Sequence, residues 1–517
     1  MKRIGIDVGG TNTDAVLLDG ETVAAAVKTG TTADVTGGVR KALADILAAS
    51  SVPPAEIASV VIGTTHFVNA VVQRRALNRV AAIRISLPGA ASLPPFCDWP
   101  ADLRDLVAGG VHMIQGGFEF DGRPVAPLDE PAIAEAARAI AVSGVTAVGI
   151  ASTFSPLNDA CERRAAAIVA DVCPGARITC SCDIGRIGLL ERENATLLNA
   201  ALGDLADNTV AAFTAALAES GIAAPLYITV NDGTVVQAAE ARRFPVYSFA
   251  SGPTNSIRGA AFLSKLDDGL VCDVGGTTTD VGCLVRGFPR EANTVVAVGG
   301  VRTLFRMPDL MSIGIGGGTR VRRDPIAVGP DSVGFNLVRD ALVFGGSELT
   351  LTDIAVAAGL ADIGDAARVK RLPAALIKET LAIVHRGIAD LADRMKTDAR
   401  DIPLIAVGGG AMLIPEAVPG FSEILHVPHH AVANAVGAAI TRISGEVDRI
   451  FRDMSRAEAI DAARTLATEK AVAAGADPAS IEVVEMEDLP IAYLPGQAIR
   501  TRVRVSGEIA APRRTAL

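Results

Sequence analysis

Ile4-Gly-Ile-Asp-Val-Gly-Gly-Thr-Asn-Thr-Asp14 and Leu270-Val-Cys-Asp-Val-Gly-Gly-Thr-Thr-Thr-Asp280 are two copies of one pattern. Asp7 aligns with Asp273, Gly9-Gly10 with Gly275-Gly276, and Asp14 with Asp280. Each copy is an apolar run, a Gly-Gly-Thr turn and a second apolar run (residues 15–18 or 281–285), which reads as a β-hairpin. The copies lie too far apart for a solenoid repeat. They predict two related lobes facing one cleft.

The turn chemistry suits phosphate. Paired glycines let backbone N–H groups approach phosphate oxygens, and Thr11, Asn12, Thr13, Thr277 and Thr278 add donors. An Asp closing each first strand would repel phosphate directly but suits a hydrated Mg²⁺ that bridges phosphates. No Gly-Lys-Ser/Thr follows, so this is not a Walker A loop. A third glycine site, Gly408-Gly409-Gly410, ends the buried-strand pattern of residues 402–407, where a base and ribose could lie against the backbone. Residues 411–414 read as the opening of a helix before Pro415. Residues 432–439 read as a small-residue helix, suited to tight packing between lobes or to an ordinary core.

The 517 residues exceed one ordinary core and suit two lobes plus a further piece. A net charge of −10 offers no basic stripe, so nucleic acid is not an expected partner. The most apolar stretch, 139–151, is broken by Ser143, Gly144 and Thr146 and is too short to span a bilayer. With no signal-peptide pattern at residues 2–18 and an odd seven cysteines, reduced thiols in a cytoplasmic protein are the expectation. Cys180 and Cys182 would share one side of a strand, but with no Cys-x-x-Cys pair or nearby His they read as buried thiols, not a zinc site. His426, His429 and His430 read as a surface turn.

Hairpin, hairpin and glycine turn, in that order, resemble the superfamily of actin, sugar kinases and heat-shock chaperone ATPases. Further segments narrow the resemblance: Gly63-Thr-Thr-His-Phe-Val-Asn-Ala70, Glu191-Arg-Glu-Asn-Ala-Thr-Leu-Leu-Asn-Ala200, Asn231-Asp-Gly-Thr234, Ser251-Gly-Pro253, Gly314-Ile-Gly-Gly-Gly-Thr319 and Gly345-Gly-Ser-Glu-Leu-Thr-Leu-Thr-Asp353. With these, residues 1 to about 440 resemble the hydantoinase/oxoprolinase family, A-type component. The resemblance implies an α/β fold of two actin-like (ribonuclease H-like) lobes around a nucleotide cleft. It also implies ATP and Mg²⁺ as cofactors, and phosphorylation of a cyclic amide carbonyl (hydantoin, 5-oxoproline or a related lactam) for ring opening. A B-type or other partner subunit would join in, and a homo-oligomer is open. Asp7 and Asp273 would position Mg²⁺ and the transferring phosphoryl group, and the hairpin residues Gly9, Gly10, Gly275 and Gly276 with their Thr and Asn neighbours would hold phosphate. Gly408, Gly409 and Gly410 would line the adenosine side. A ketone carboxylase subunit and a non-enzymatic actin-like ATP switch are the rival readings.

Three further expectations concern other groups. His66 and Asn69 would share a helix face and meet substrate, against a packed histidine with Thr64 or Thr65 as cap. Gly316, Gly317 and Gly318 would accept an anion or shape the substrate pocket, with Arg320, Arg322 and Arg323 as a solvated face. Asp14 and Asp280 either join the phosphate site or brace their own hairpins. Lobes are expected at 1–190 and 191–440, with helices near 36–49, 130–143, 353–360 and 374–395 and a helix after an Asp159 cap. A small C-terminal α+β extension at 441–517 would carry a helix at 455–474 and strands near 481–486 and 498–505.

Overall fold

The computed structural model describes residues 1–30, 35–185, 187–292, 296–491 and 498–510. Both hairpins form as the sequence predicts. β1 (Lys2–Val8) pairs antiparallel with β2 (Asn12–Asp19), which places Asp7 opposite Asp14. β3 (Thr22–Gly30) follows on β2, and β4 (Ile57–Thr64) runs parallel to β1. In the second sheet β5 (Gly269–Val274) pairs with β6 (Thr279–Val285), Asp273 opposite Asp280, and β7 (Ile402–Val407) runs parallel to β5.

The expected division at 190 and 440 does not follow the sheets. The sheet of the first hairpin has nine strands and recruits Leu226–Thr229, Val235–Gln237, Ile443–Phe451, Ile499–Gly507 and, at its edge, Glu482–Pro490. Residues 441–491 and 498–510 therefore enlarge the first lobe. The reason is packing: Ile443, Val447, Val503 and Val505 bury one face, and helix Arg456–Ala473 closes on it with Ala459, Ala463, Ala467 and Ala471 buried at four-residue spacing. Gly445 permits that approach, since a Cβ there would lie 2.0 Å from the Ala467 carbonyl oxygen. Buried Arg306 ties the second sheet's flank to this face through Glu446 and Glu485. A separate four-stranded parallel sheet, with Val80–Leu87 beside Ala147–Ser152, is inserted into the first lobe.

Two helices are laminated between the hairpin sheets. α2 (Ser251–Ser264) packs Ile257 and Ala260 against Val271 and Leu284, and α3 (Ala433–Ala439) lies between α2 and β1; α1 (His66–Val72) follows β4. The contact is glycine-mediated. A Cβ at Gly259 would lie 1.9 Å from the Ala433 carbonyl oxygen, one at Gly437 1.9 Å from that of Asn255, and one at Gly5 2.1 Å from that of Ala435. Of the two readings of residues 432–439, the inter-lobe one describes the structure.

Helices Val35–Ser50, Glu130–Ser143, Ala160–Val172 and Ala374–Met395 form where expected. Asp159 makes no capping hydrogen bond and pairs with Arg163 instead. Residues 411–413 make only a single 3₁₀ turn rather than opening a helix. Cys180 ends its strand and residues 181–183 turn, so Cys180 and Cys182 do not share a strand face. The cause is buried Glu162, whose carboxylate accepts from the Ser181 hydroxyl and the Cys182 backbone N–H. No described helix is long and apolar enough to cross a membrane.

Candidate functional site

The two Gly-Gly-Thr turns close in the same way. The Gly9 N–H donates to the Asn12 carbonyl at 3.0 Å, and the Gly275 N–H to the Thr278 carbonyl at 2.9 Å. Their tips meet: a Cβ added to Gly276 would lie 2.7 Å from Thr11 Oγ1. Beside this meeting point is a cavity of ≈ 570 Å³ lined by Asp7, Gly9 to Asn12, Asp273 and Gly275 to Thr278. The duplicated motifs thus share one cavity.

Asp7 and Asp273 are both buried carboxylates. Burial first, then Asp14 and, more weakly, Asp273, push Asp7 up to about 7, against the pull of a hydrogen bond from Asn434 Nδ2 at 3.3 Å. Burial, with Asp280 adding to it, pushes Asp273 up to about 6. Asp14 also lines the cavity and pairs with Lys28 of β3 at 2.6 Å, while Asp280 accepts from Ser312 of the neighbouring strand and, at 3.4 Å, from Thr278 of its own turn. Asp7 Oδ1 is buried without a hydrogen-bond partner. Such an oxygen fits a cation, and the described residues contain no cluster of three or more His, Cys, Asp or Glu side chains that would cage one. Mg²⁺ suits this donor set, because it keeps several waters and takes one or two carboxylates together with phosphate oxygens.

Gly408 and Gly409 line the same cavity. Gly408 has φ +91° and its N–H donates to the His430 carbonyl; a Cβ there would lie 2.2 Å from Asp273 Oδ1. Gly410 turns inward, donating to the Val274 carbonyl, and Thr13 is buried behind the first turn; neither lines the cavity.

The predicted substrate residues separate. Asn69 lines the cavity and His66 does not. His66 sits at the start of α1, its backbone N–H held by the Thr64 hydroxyl, and burial with nearby Arg75 holds its imidazole below the usual range. Gly316, Gly317 and Gly318 lie behind the second hairpin. The Gly317 N–H donates to the Gly275 carbonyl and the Gly318 N–H to that of Gly276, and a Cβ at Gly316 would lie 2.6 Å from the Thr277 nitrogen. This run packs against the second hairpin and does not line the cavity. Its close backbone approach is what demands glycine.

Several lining residues escape the sequence reading: Lys28, Val68, Gln73, Phe249, Phe335 and Asn434. Lys28 is recoverable from hairpin register, since it faces Asp14 across β2 and β3. Asn434 is the one polar residue in an otherwise apolar run at 432–439. Phe335 leaves no local signal; it stands 62% exposed and lines the cavity beside Gly334.

Residues 3–173 match the hydantoinase/oxoprolinase N-terminal region, and residues 192–405 match the hydantoinase/oxoprolinase domain. The chain is 28% identical over 465 residues to caprolactamase subunit alpha of Pseudomonas jessenii, spanning 79% of this chain and 65% of that protein. It is 27% identical over 270 residues to the acetophenone carboxylase gamma subunit of Aromatoleum aromaticum, spanning 50% and 36%. The chain therefore spans less than two thirds of the length of these relatives. In fold it resembles the ATP-dependent caprolactamase of Pseudomonas jessenii (TM-score 0.73, 20% identity, 99% of this chain and 88% of that one) and nucleotide-free acetone carboxylase (TM-score 0.74, 18% identity, 99% and 89%). The two halves that carry the hairpins match successive regions of one family, and the chain belongs to the hydantoinase/oxoprolinase family.

Proposed function

We propose that the chain is the ATP-binding component of an amidohydrolase, holding Mg-ATP between the two hairpins and phosphorylating a cyclic amide for ring opening. One observation carries the reading: two copies of the same glycine-threonine turn, each ending a strand with a buried Asp, open into one cavity. Backbone N–H groups at Gly10 and Gly276 hold phosphate oxygens, while those of Gly9 and Gly275 close the turns, and Thr11, Asn12, Thr277 and Thr278 supplement them. Asp7 and Asp273 hold Mg²⁺, which supplies neutralisation of charge on the phosphates. Gly408 and Gly409 take the base and ribose, with the exposed ring of Phe335 from the same cavity lining available to cover the base.

The amide carbonyl oxygen attacks the γ-phosphorus while its bond to ADP breaks. Water adds to the activated carbon and the ring C–N bond breaks, giving an amino acyl phosphate, and a second water cleaves this to the carboxylate and phosphate. The net reaction consumes ATP, the cyclic amide and water, and yields ADP, phosphate and an amino acid. Since the caprolactamase and acetophenone carboxylase relatives are named as subunits, the water-addition step is assigned to a complex with a partner.

The carboxylase relatives support a second reading, in which the acceptor is a ketone and the activated intermediate meets a carboxylating group. ATP turnover against lactams, hydantoins and ketones, with and without bicarbonate and with and without a co-purified partner, separates the two. Stimulation by cyclic amides without bicarbonate supports the amidohydrolase. Stimulation by ketones that requires bicarbonate replaces it with the carboxylase. ATP-dependent filaments with no substrate response would indicate the switch.

A further inference from the structure

One end of the cavity is left over once a nucleotide is assigned to the hairpin tips, the glycine turn and Phe335. It is built by Thr65, Val68, Asn69 and Gln73, from α1 and its ends, and by Phe249 and Pro253 from the start of α2. These elements are locked together. Ser251 Oγ donates to the Thr64 carbonyl at 2.9 Å, and a Cβ on Gly252 would touch Thr65 Cγ2 at 3.3 Å.

Each of the two carboxamides at this end already has a partner. Asn69 Nδ2 donates to Thr65 Oγ1 at 3.2 Å, which leaves Asn69 Oδ1 as an acceptor. Arg75 donates to Gln73 Oε1, which leaves Gln73 Nε2 as a donor. Four residues apart at the end of one helix, they are near neighbours, with Cβ atoms about 6 Å apart. An acceptor and a donor side by side match a cyclic amide, whose ring forces N–H and C=O onto the same edge. An open-chain secondary amide is trans and presents them on opposite edges. Gln73 occupies one carbonyl lone pair, and the other stays available to phosphorus. Val68, Phe249 and Pro253 offer an apolar wall for ring methylenes.

The charge of the cavity narrows the ligand further. Among the described residues its ionisable lining is Asp7, Asp14, Asp273, Asp280 and Lys28, whose ammonium lies 2.6 Å from Asp14. Arg75, outside the lining, is engaged by Gln73, and Arg74 is paired with Asp102. A carboxylate carried on the acceptor would add its charge to four aspartates and a triphosphate, against Mg²⁺ and one ammonium that Asp14 already pairs.

Resting on the phosphotransfer reading above, we infer that this end takes a neutral cyclic amide with a ring N–H and no carboxylate of its own. 5-Oxoproline is thereby disfavoured, and so is a ketone, which would leave Asn69 Oδ1 without a donor. The test uses the full chain with Mg²⁺ and the non-hydrolysable analogue AMPPNP, titrated with three five-membered lactams and read by calorimetry or ligand-observed NMR. 2-Pyrrolidinone should bind about ten-fold or more tighter than 5-oxoproline, which differs only by its carboxylate. It should also bind about ten-fold tighter than N-methyl-2-pyrrolidinone, which lacks the N–H, and Asn69→Leu should erase that second difference. Val68→Arg should bring 5-oxoproline up to the level of 2-pyrrolidinone or beyond. Equal or tighter binding of 5-oxoproline by the unaltered chain, indifference to N-methylation, or binding of no lactam beside bound AMPPNP overturns this inference alone. Failure of AMPPNP to bind overturns the phosphotransfer reading and this inference with it.

Discussion

Asp7→Asn removes a charge that the empty cavity tolerates badly, and the size of the effect follows from its surroundings. The carboxyl is buried, faces Asp14 and Asp273, and is pushed from 3.8 up to about 7. At about 1.4 kcal/mol per pKa unit, ionising it in the folded protein costs about 4 kcal/mol. Its folded-state pKa lies above the unfolded value. Its contribution to stability is therefore full below pH 3.8 and is lost as pH rises through about 7. Asn keeps the shape, still accepts from Asn434, and never pays the ionisation cost. Its new N–H₂ takes the place of Asp7 Oδ1, which has no hydrogen-bond partner in the parent. Urea unfolding of the nucleotide-free proteins between pH 4 and pH 8 is the assay. The variant should exceed the parent by up to about 4 kcal/mol at pH 8, with the gap closing towards pH 4. Mg-ATP should stabilise the parent and not the variant, and ATP turnover should vanish. Equal stability at pH 8, a gap that persists at pH 4, or retained turnover would refute the reasoning.

Gly437→Ala drives a methyl to within 1.9 Å of the Asn255 carbonyl oxygen between α2 and α3, and should cost about 3 kcal/mol in denaturant unfolding. Gly276→Ala wedges the hairpin tips at Thr11 and should weaken AMPPNP binding about ten-fold while the melting temperature moves little; Thr11→Ser in the same chain should recover part of the loss. Phe335→Ala should weaken AMPPNP about ten-fold yet leave inorganic tripolyphosphate binding unchanged, because the ring meets the base and not the phosphates.

The hairpins were legible because they are local. A four-residue turn between apolar runs specifies its own register, and Asp7 opposite Asp14 follows from counting. Strand partnership across the chain was not. Alternation in residues 443–451 and 499–507 marks strands, but only the fold pairs Ile443 with Val235 and so attaches the C-terminal segment to the first sheet. Glycine runs misled for a similar reason. Gly316 to Gly318 make room for backbone, whereas Gly9 and Gly10 face a cavity, and both look alike in sequence. His66 drew attention by its chemistry, yet Asn69 and Gln73 line the cavity and His66 does not, a difference set by the direction of each side chain from one short helix.

A crystal structure of the full chain with Mg-AMPPNP tests the central claim most directly. The account predicts the β- and γ-phosphates between residues 9–12 and 275–278, with magnesium within reach of Asp7 and Asp273. It also predicts the base beside Gly408, Gly409 and Phe335. Nucleotide bound by one hairpin alone, or lodged instead in the second cavity beside Tyr247 and Phe305, would contradict it.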